Sequence, residues 1–461
     1  MLKINQNLWS YSKLVIVIVG LAVLFSFVRK KQWNSENKVI VWDVISYYAY
    51  LPATFIYFDP GLDFMDDYKG EHKFVFWPEK ASNGKKVIKT SMGLSLLYMP
   101  FFFMGHAYAL ITDYDAGGYS VPYRFALQLS SLFYLLIGLT FLRKTMLRYF
   151  SEKVSALSIL LVFFATNLHH YSTIEATMSH AYNFSLFAIF IYLTIHWYEK
   201  PSIKNSILIG LLSGLIVLVR PTNILILLFF IFWDVKSISD LKNRFILFYK
   251  YFSKLFLMGF FAFLVWLPQF LYWKMQTGSF LYFSYGEERF FFDSPQIIRG
   301  LFGYRKGWLL YSPIMIFALL GIFFLKNKLK SFFLPILIFV VFNIYIILSW
   351  WAWWYGGSFG LRAFIDSYAL LVFPLAAIIS FFYKKKKRMA SLFVLILSFL
   401  FITHGIFQTR QYSNGAIHWD SMSKEAYWDS FGRLWPSGEF YHLLIEPDYE
   451  KAKKGNQDES K

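Results

Sequence analysis

The sequence predicts an all-α polytopic membrane protein of about eleven transmembrane helices, with surface or re-entrant helices in the first outer loop. Three observations carry this. Of 461 residues, 57% are hydrophobic and 22% aromatic, against 16% charged, which is more apolar surface than a soluble chain of this size can hide. Apolar runs of membrane length recur along the chain, and a segment in lipid must satisfy its own backbone hydrogen bonds, as a helix does. The formal net charge of +18 gathers in alternate connections between the runs. That is the pattern of cytoplasmic loops under the positive-inside rule, not of nucleic-acid binding. The absence of cysteine excludes disulfides, thiol catalysis and Cys-ligated zinc or iron–sulfur clusters.

Residues 14–28 form the first span, with Lys3 and Lys13 before it and Arg29-Lys30-Lys31 after it. No small-residue cleavage site follows, so it reads as a retained span and not a signal peptide. The first outer loop covers about residues 29–122. It holds the aromatic stretch around Asp43, an acidic patch (Asp63, Asp66, Asp67) and a basic one (Lys80, Lys85, Lys86, Lys89). Residues 92–110 are apolar and nearly long enough to span, but Pro100 and Gly105 interrupt them, and proline is a poor helix-interior residue. A span there would also put Asp43 and the His169 loop on opposite faces. The run is expected on the membrane surface or re-entrant.

Further runs lie near residues 123–142, 154–168, 181–197, 204–219, 222–233, 253–273, 308–325, 331–350, 366–383 and 389–408. The connections at 143–153, 200–204, 236–254, 326–330 and 384–388 are basic and read as cytoplasmic. Those at 169–180, 220–223, 276–306 and 350–362 then face outward. The short runs meeting at Arg220-Pro221 read as broken helices, which lipid tolerates where they line a cavity. The N-terminus is expected inside, a transmembrane catalytic unit over residues 1–408, and an outward-facing polar tail over 409–461. No internal repeat is visible, which disfavours a transporter.

Polar groups that a membrane does not explain gather on the outward side. In Val41-Trp42-Asp43-Val44-Ile45-Ser46-Tyr47-Tyr48-Ala49-Tyr50, a helix would set Asp43, Tyr47 and Tyr50 on one face. That places an acid among phenols at the interface, where Tyr and Trp sit well. An ordinary interfacial helix with a solvated Asp43 accounts for the stretch equally well. Glu175 and His180 lie at the mouth of a span, where ionisable groups are costly and functional by default. Their spacing is not a His-Glu-x-x-His zinc pattern, and hydrogen-bonded loop histidines are the plain alternative. Arg220, between Val219 and Pro221, needs an anionic partner, whether a ligand or a neighbour such as Glu175. Arg305-Lys306-Gly307 could cradle a phosphate or merely mark the interface. Trp350 to Trp354, with Gly356-Gly357 and Arg362 beyond, form an aromatic belt or stack on a sugar.

One acid with cations and aromatics around it suits group transfer from a phosphate-linked lipid: the acid takes the acceptor's proton and Arg or Lys neutralises the departing phosphate. The landmarks of the Asp43 stretch, Glu175 to Tyr182, Gly214 to Asn223, Arg305 to Pro313 and Gly356 to Arg362, in that order, resemble the membrane-embedded GT-C glycosyltransferases. This is the class of the protein O-mannosyltransferases and the bacterial aminoarabinose and lipopolysaccharide-core transferases. The resemblance runs from the first span to about Ala376. It implies transfer with inversion from a polyprenyl-phosphate-linked sugar to an envelope glycan, lipid or protein, at the outer face of the plasma (inner) membrane. The family's essential first-loop aspartate maps onto Asp43, the expected general base; the outward-facing residues Tyr47, Tyr48, Glu175, His180, Arg220, Arg305, Lys306, Trp354 and Arg362 are expected to bind substrate. Many members carry Asp-Glu where this chain has Asp43-Val44, so the motif gives no support for a divalent metal, and no other cofactor is called for. The expected partners are donor, acceptor and bilayer, with no nucleic acid. The alternatives are a flippase of lipid-linked saccharides, which would place polar groups at mid-membrane, and an envelope polymerase or ligase.

Overall fold

The computed structural model describes residues 10–67, 78–384 and 388–455. Lys3 and residues 385–387 of the last basic connection lie outside them. The apolar runs fold as helices, several started by a small polar cap. Ser202 Oγ accepts from the amide of Asn205 at 3.2 Å, and Ser423 Oγ from Ala426 at 3.0 Å, each satisfying one of the free first-turn amides. The main helices are α1 (Tyr11–Lys30), α2 (Asp43–Tyr48), α3 (Tyr50–Phe55), α4 (Gly93–Leu110), α5 (Val121–Met146), α6 (Glu152–Phe164), α7 (Ser179–Glu199) and α8 (Ile203–Val219). A 3-10 segment, Pro221–Ile226, leads into α9 (Leu227–Phe232). Then come α10 (Ile238–Lys250), α11 (Phe252–Thr277), α12 (Ile314–Lys328), α13 (Lys330–Leu348), α14 (Tyr368–Lys384, after the 3-10 turn Arg362–Ser367), α15 (Arg388–Ser413), α16 (Lys424–Ser430) and α17 (Tyr449–Lys453). A two-stranded antiparallel ribbon, Glu79–Lys80 with Lys86–Val87, decorates the first loop.

Contacts between helix ends divide the bundle into two sides. On one, Arg143 closing α5 reaches Glu152 at the start of α6 (3.0 Å) and Ser12 at the start of α1 (2.6 Å). Arg148 pairs with Glu199 closing α7, and Tyr198 donates to the carbonyl of Phe230 in α9 at 2.8 Å. This is the basic end. On the other, Arg124 of α5 donates to the carbonyl of Trp33 beyond α1 at 2.7 Å. Asn167 after α6 donates to Phe359 O (3.1 Å), and Tyr368 opening α14 donates to Asn167 (2.8 Å). Among the described residues eleven segments connect the two ends: α1, α5, α6, α7, α8, Pro221–Phe232, α11, α12, α13, Arg362–Tyr383 and α15. The chain is a multi-pass helical membrane protein.

Among the described residues seven helices are long and apolar enough to cross a membrane, and α4 is one of them by length and composition. Its contacts lay it across the bundle instead. A Cβ on Gly93, at its start, would lie 2.3 Å from the amide nitrogen of Val219 closing α8, and one on Gly105 would lie 3.1 Å from the carbonyl of Pro122 opening α5. Val219 and Pro122 are both at the second end, so α4 begins and finishes there, as expected from Pro100 and Gly105. Small residues at both ends let its backbone seat directly on the spans. The Arg362–Tyr383 segment, 89% buried, is the centre of the bundle, whereas α1, α11 and α15 are largely open to lipid.

Candidate functional site

A cavity of about 380 Å³ opens at the second end. Its acid comes from α2. The helix starts at Asp43 after Trp42, whose backbone sits at φ 54°, ψ −130°, a conformation that costs a bulky residue about 1–3 kcal/mol. Val44, Ile45 and Tyr48 turn into the core, which leaves Asp43, Ser46 and Tyr47 on the cavity wall. The Tyr47 phenol is held above its ordinary range by burial and by the Asp43 carboxylate. Asp43, 46% exposed, receives Arg362 Nη2 at 2.8 Å.

Arg362 starts the 3-10 turn that leads into α14, and Asp366 lies one turn further on. Asp366 is almost wholly buried and takes partners from two segments, the start of α7 and the break after α8. Its carboxylate accepts from Asn223 Nδ2 (2.9 Å), Asn183 Nδ2 (3.2 Å) and Arg220 Nη1 (3.3 Å), and lies 3.2 Å from His180 Nδ1. A buried carboxylate is tolerable when each lone pair is used like this. The break between α8 and α9 places Arg220 here: Pro221 ends one helix, and the guanidinium emerges over the ring of Tyr355, 5.8 Å from its centroid.

Two connections form the opposite wall. The amide of Phe291 donates to Ser349 O (2.6 Å), that of Gln296 to Leu348 O (2.8 Å) and that of Trp351 to Arg289 O (3.1 Å). This ribbon-like join presents Tyr285, Glu288, Phe290 and Trp350 to the cavity, with Lys89 ion-paired to Glu288. The tail adds Tyr449.

Of the residues singled out from sequence, Asp43, Tyr47, His180, Arg220 and Arg362 converge on the cavity. The other five stand outside its lining. Tyr48 is buried and donates to Gly118 O. Glu175 lies 3.3 Å from His170 Nε2; burial raises its carboxyl, but His170 and Arg362 outweigh that and hold it below its usual range. Arg305 donates to Asp420 O (3.2 Å) and stacks 5.8 Å from the Trp354 ring, which is itself fully buried beside Tyr449. The Lys306 ammonium donates to Ser358 O and to Trp419 O (2.6 Å), and burial pushes its pKa down to about 7. Together Arg305 and Lys306 fasten the tail to the bundle.

The partner of Arg220 is Asp366, not Glu175. Asp366 carried a signal, as an acid at the head of an apolar run. Lys89 and Glu288 sit in ordinary polar loops, and Tyr449 has no local signal at all.

Three cations (Lys89, Arg220, Arg362) and two carboxylates (Asp43, Glu288) line the cavity. Both carboxylates already hold a cation, and among the described residues no three His, Asp or Glu side chains gather as a metal site. This donor set suits an anion better than a divalent metal. An acid, guanidinium groups and aromatic faces around one cavity at the membrane surface can take a proton, hold a phosphate and stack on a sugar ring.

No family model matches the chain, and no curated protein matches it in sequence. Among solved structures, the archaeal oligosaccharyltransferase AglB from Archaeoglobus fulgidus, in complex with an inhibitory peptide and a dolichol-phosphate, aligns with a TM-score of 0.49 at 14% identity. The alignment covers 87% of this chain and 55% of that one. The chain thus spans about half the length of that protein.

Proposed function

We propose that this protein is a membrane glycosyltransferase that moves a sugar from a polyprenyl-phosphate donor to a cell-envelope acceptor, with inversion, at the outer face of the plasma membrane. The observation that carries the reading is the convergence of Asp43, Arg220 and Arg362 on one cavity at the bundle end away from the basic connections. Those connections mark the cytoplasmic side under the positive-inside rule.

In this reading Asp43 takes the proton of the acceptor hydroxyl. The freed oxygen attacks the anomeric carbon from the face opposite the phosphate. The new glycosidic C–O bond forms as the bond from that carbon to the phosphate oxygen breaks, and the electron pair leaves with the lipid phosphate. Arg220 and Arg362 neutralise that charge, with Lys89 at the opposite wall a further cation. The aromatic faces of Tyr355 and Trp350 flank the sugar. The lipid tail lies along the spans.

Single-turnover transfer from polyprenyl-phosphate sugars, wild type beside Asp43→Asn, tests this. The asparagine keeps the shape but cannot accept the proton, so the rate should fall by about 10²–10⁴-fold in a chain that still inserts and folds. Near-normal turnover of the inserted variant would remove Asp43 as the base.

A further inference from the structure

We propose that Arg362 is a latch on Asp43: its guanidinium holds the carboxylate, and an incoming lipid phosphate frees the carboxylate by taking the guanidinium. The inference rests on the donor reading above and adds an order of events to it.

The first ground is geometric. Arg362 Nη2 lies 2.8 Å from Asp43 Oδ2, a charge-assisted hydrogen bond on one of the two oxygens of the proposed base. While this bond persists, a hydroxyl competes with a cation for the same lone pairs. In this pairing one oxygen of the base is occupied by a cation instead of an acceptor hydroxyl.

The second ground is an asymmetry of burial. The Asp43 side chain is 46% exposed, whereas that of Arg362 is 14% exposed. Water can solvate Asp43 once it is released. Arg362, mostly buried, has less recourse to water, and release of Asp43 would leave it only the Glu175 carboxylate nearby. The pair should open when another anion replaces the carboxylate, not by spontaneous separation.

The third ground is a fixed second cation. Arg220 lines the same cavity and is anchored from behind by Asp366. It provides a rigid point of attachment, while Arg362 can exchange partners. A phosphate held by both turns one neutral pair into two useful halves: a cation on the leaving group and an unpaired carboxylate at the acceptor position. Donor binding thus precedes proton removal, and an acceptor that arrives first meets a capped base.

Carboxyl footprinting with a carbodiimide and glycine ethyl ester, read at Asp43 by mass spectrometry, tests the latch on the full chain in phosphatidylcholine nanodiscs. The probe is a polyprenyl phosphate without a sugar, which leaves the acceptor position open. Its binding is followed separately by quenching of tryptophan fluorescence. Saturating probe should raise the labelling of wild-type Asp43 on the order of tenfold, the scale of one charge-assisted bond. Arg362→Gln should label at the raised rate without probe and gain little from it. The wild-type arm needs no substitution, so a poorly folding variant leaves the test intact. Probe that binds without raising Asp43 labelling overturns the latch and leaves the donor reading standing. Probe that does not bind at all overturns both.

Discussion

Asp366 binds more of the site together than any residue chosen from the sequence. It faces Asn183, Asn223, Arg220 and His180 from a single buried carboxylate. Removing it in Asp366→Ala would leave Arg220 without its counter-charge, a loss of about 3–5 kcal/mol that a thermal unfolding curve in detergent should register. Asp43→Asn breaks a pair that is half-exposed on the Asp43 side and leaves Glu175 near Arg362, so its unfolding curve should fall less than that of Asp366→Ala. The two variants separate a structural acid from the proposed base. At this scale the sequence showed which residue types mattered but not which ones meet. Ionisable groups beside apolar runs stand out because burying them needs a reason; Lys306 stood out that way, yet its partners are backbone carbonyls 52 and 113 residues away.

Lys306 also gives the element that it fastens a measurable pH dependence. Its ammonium sits near neutrality in the folded chain, at about 7 against an ordinary 10.5. Between these values the unfolded chain binds the extra proton, so this group's contribution makes stability rise as pH increases from about 7 towards 10. Thermal unfolding of Lys306→Met beside wild type across that range should show wild type gaining on the variant as pH rises; parallel curves would mean that the ammonium is not buried. The helix α4 makes a different point. Its length and hydropathy suit a span, and only Pro100, Gly105 and the demand that polar loops share a side argued otherwise. The contacts of Gly93 with Val219 and of Gly105 with Pro122 supply the physical reason: both seats for the helix are on one end of the bundle. The break of α2 from α3 at Ala49 was less legible. It turns Tyr50 away from the Asp43 face to donate to Thr90 O at 2.7 Å, a tertiary partner that no local periodicity announces.

For the whole molecule, eleven passes put the first loop and the chain beyond α15 on the same side. Reporter fusions at Asn83 and after Lys454 should therefore respond alike, and opposite responses would turn α4 back into a span. The number of passes was legible because apolar length and basic connections are one-dimensional signals. The cavity was only partly so, since it is drawn from Asp43 at one extreme and Tyr449 at the other, with the central Arg362 between them. That placement bears on how the protein is made. A ribosome delivers Asp43 soon after α1, but the wall bearing Tyr449 arrives only after α15. Until then the growing polypeptide carries an acid at the membrane surface with no completed chamber around it. Under the proposed function, the donor cavity is thus completed only once the spans are in place.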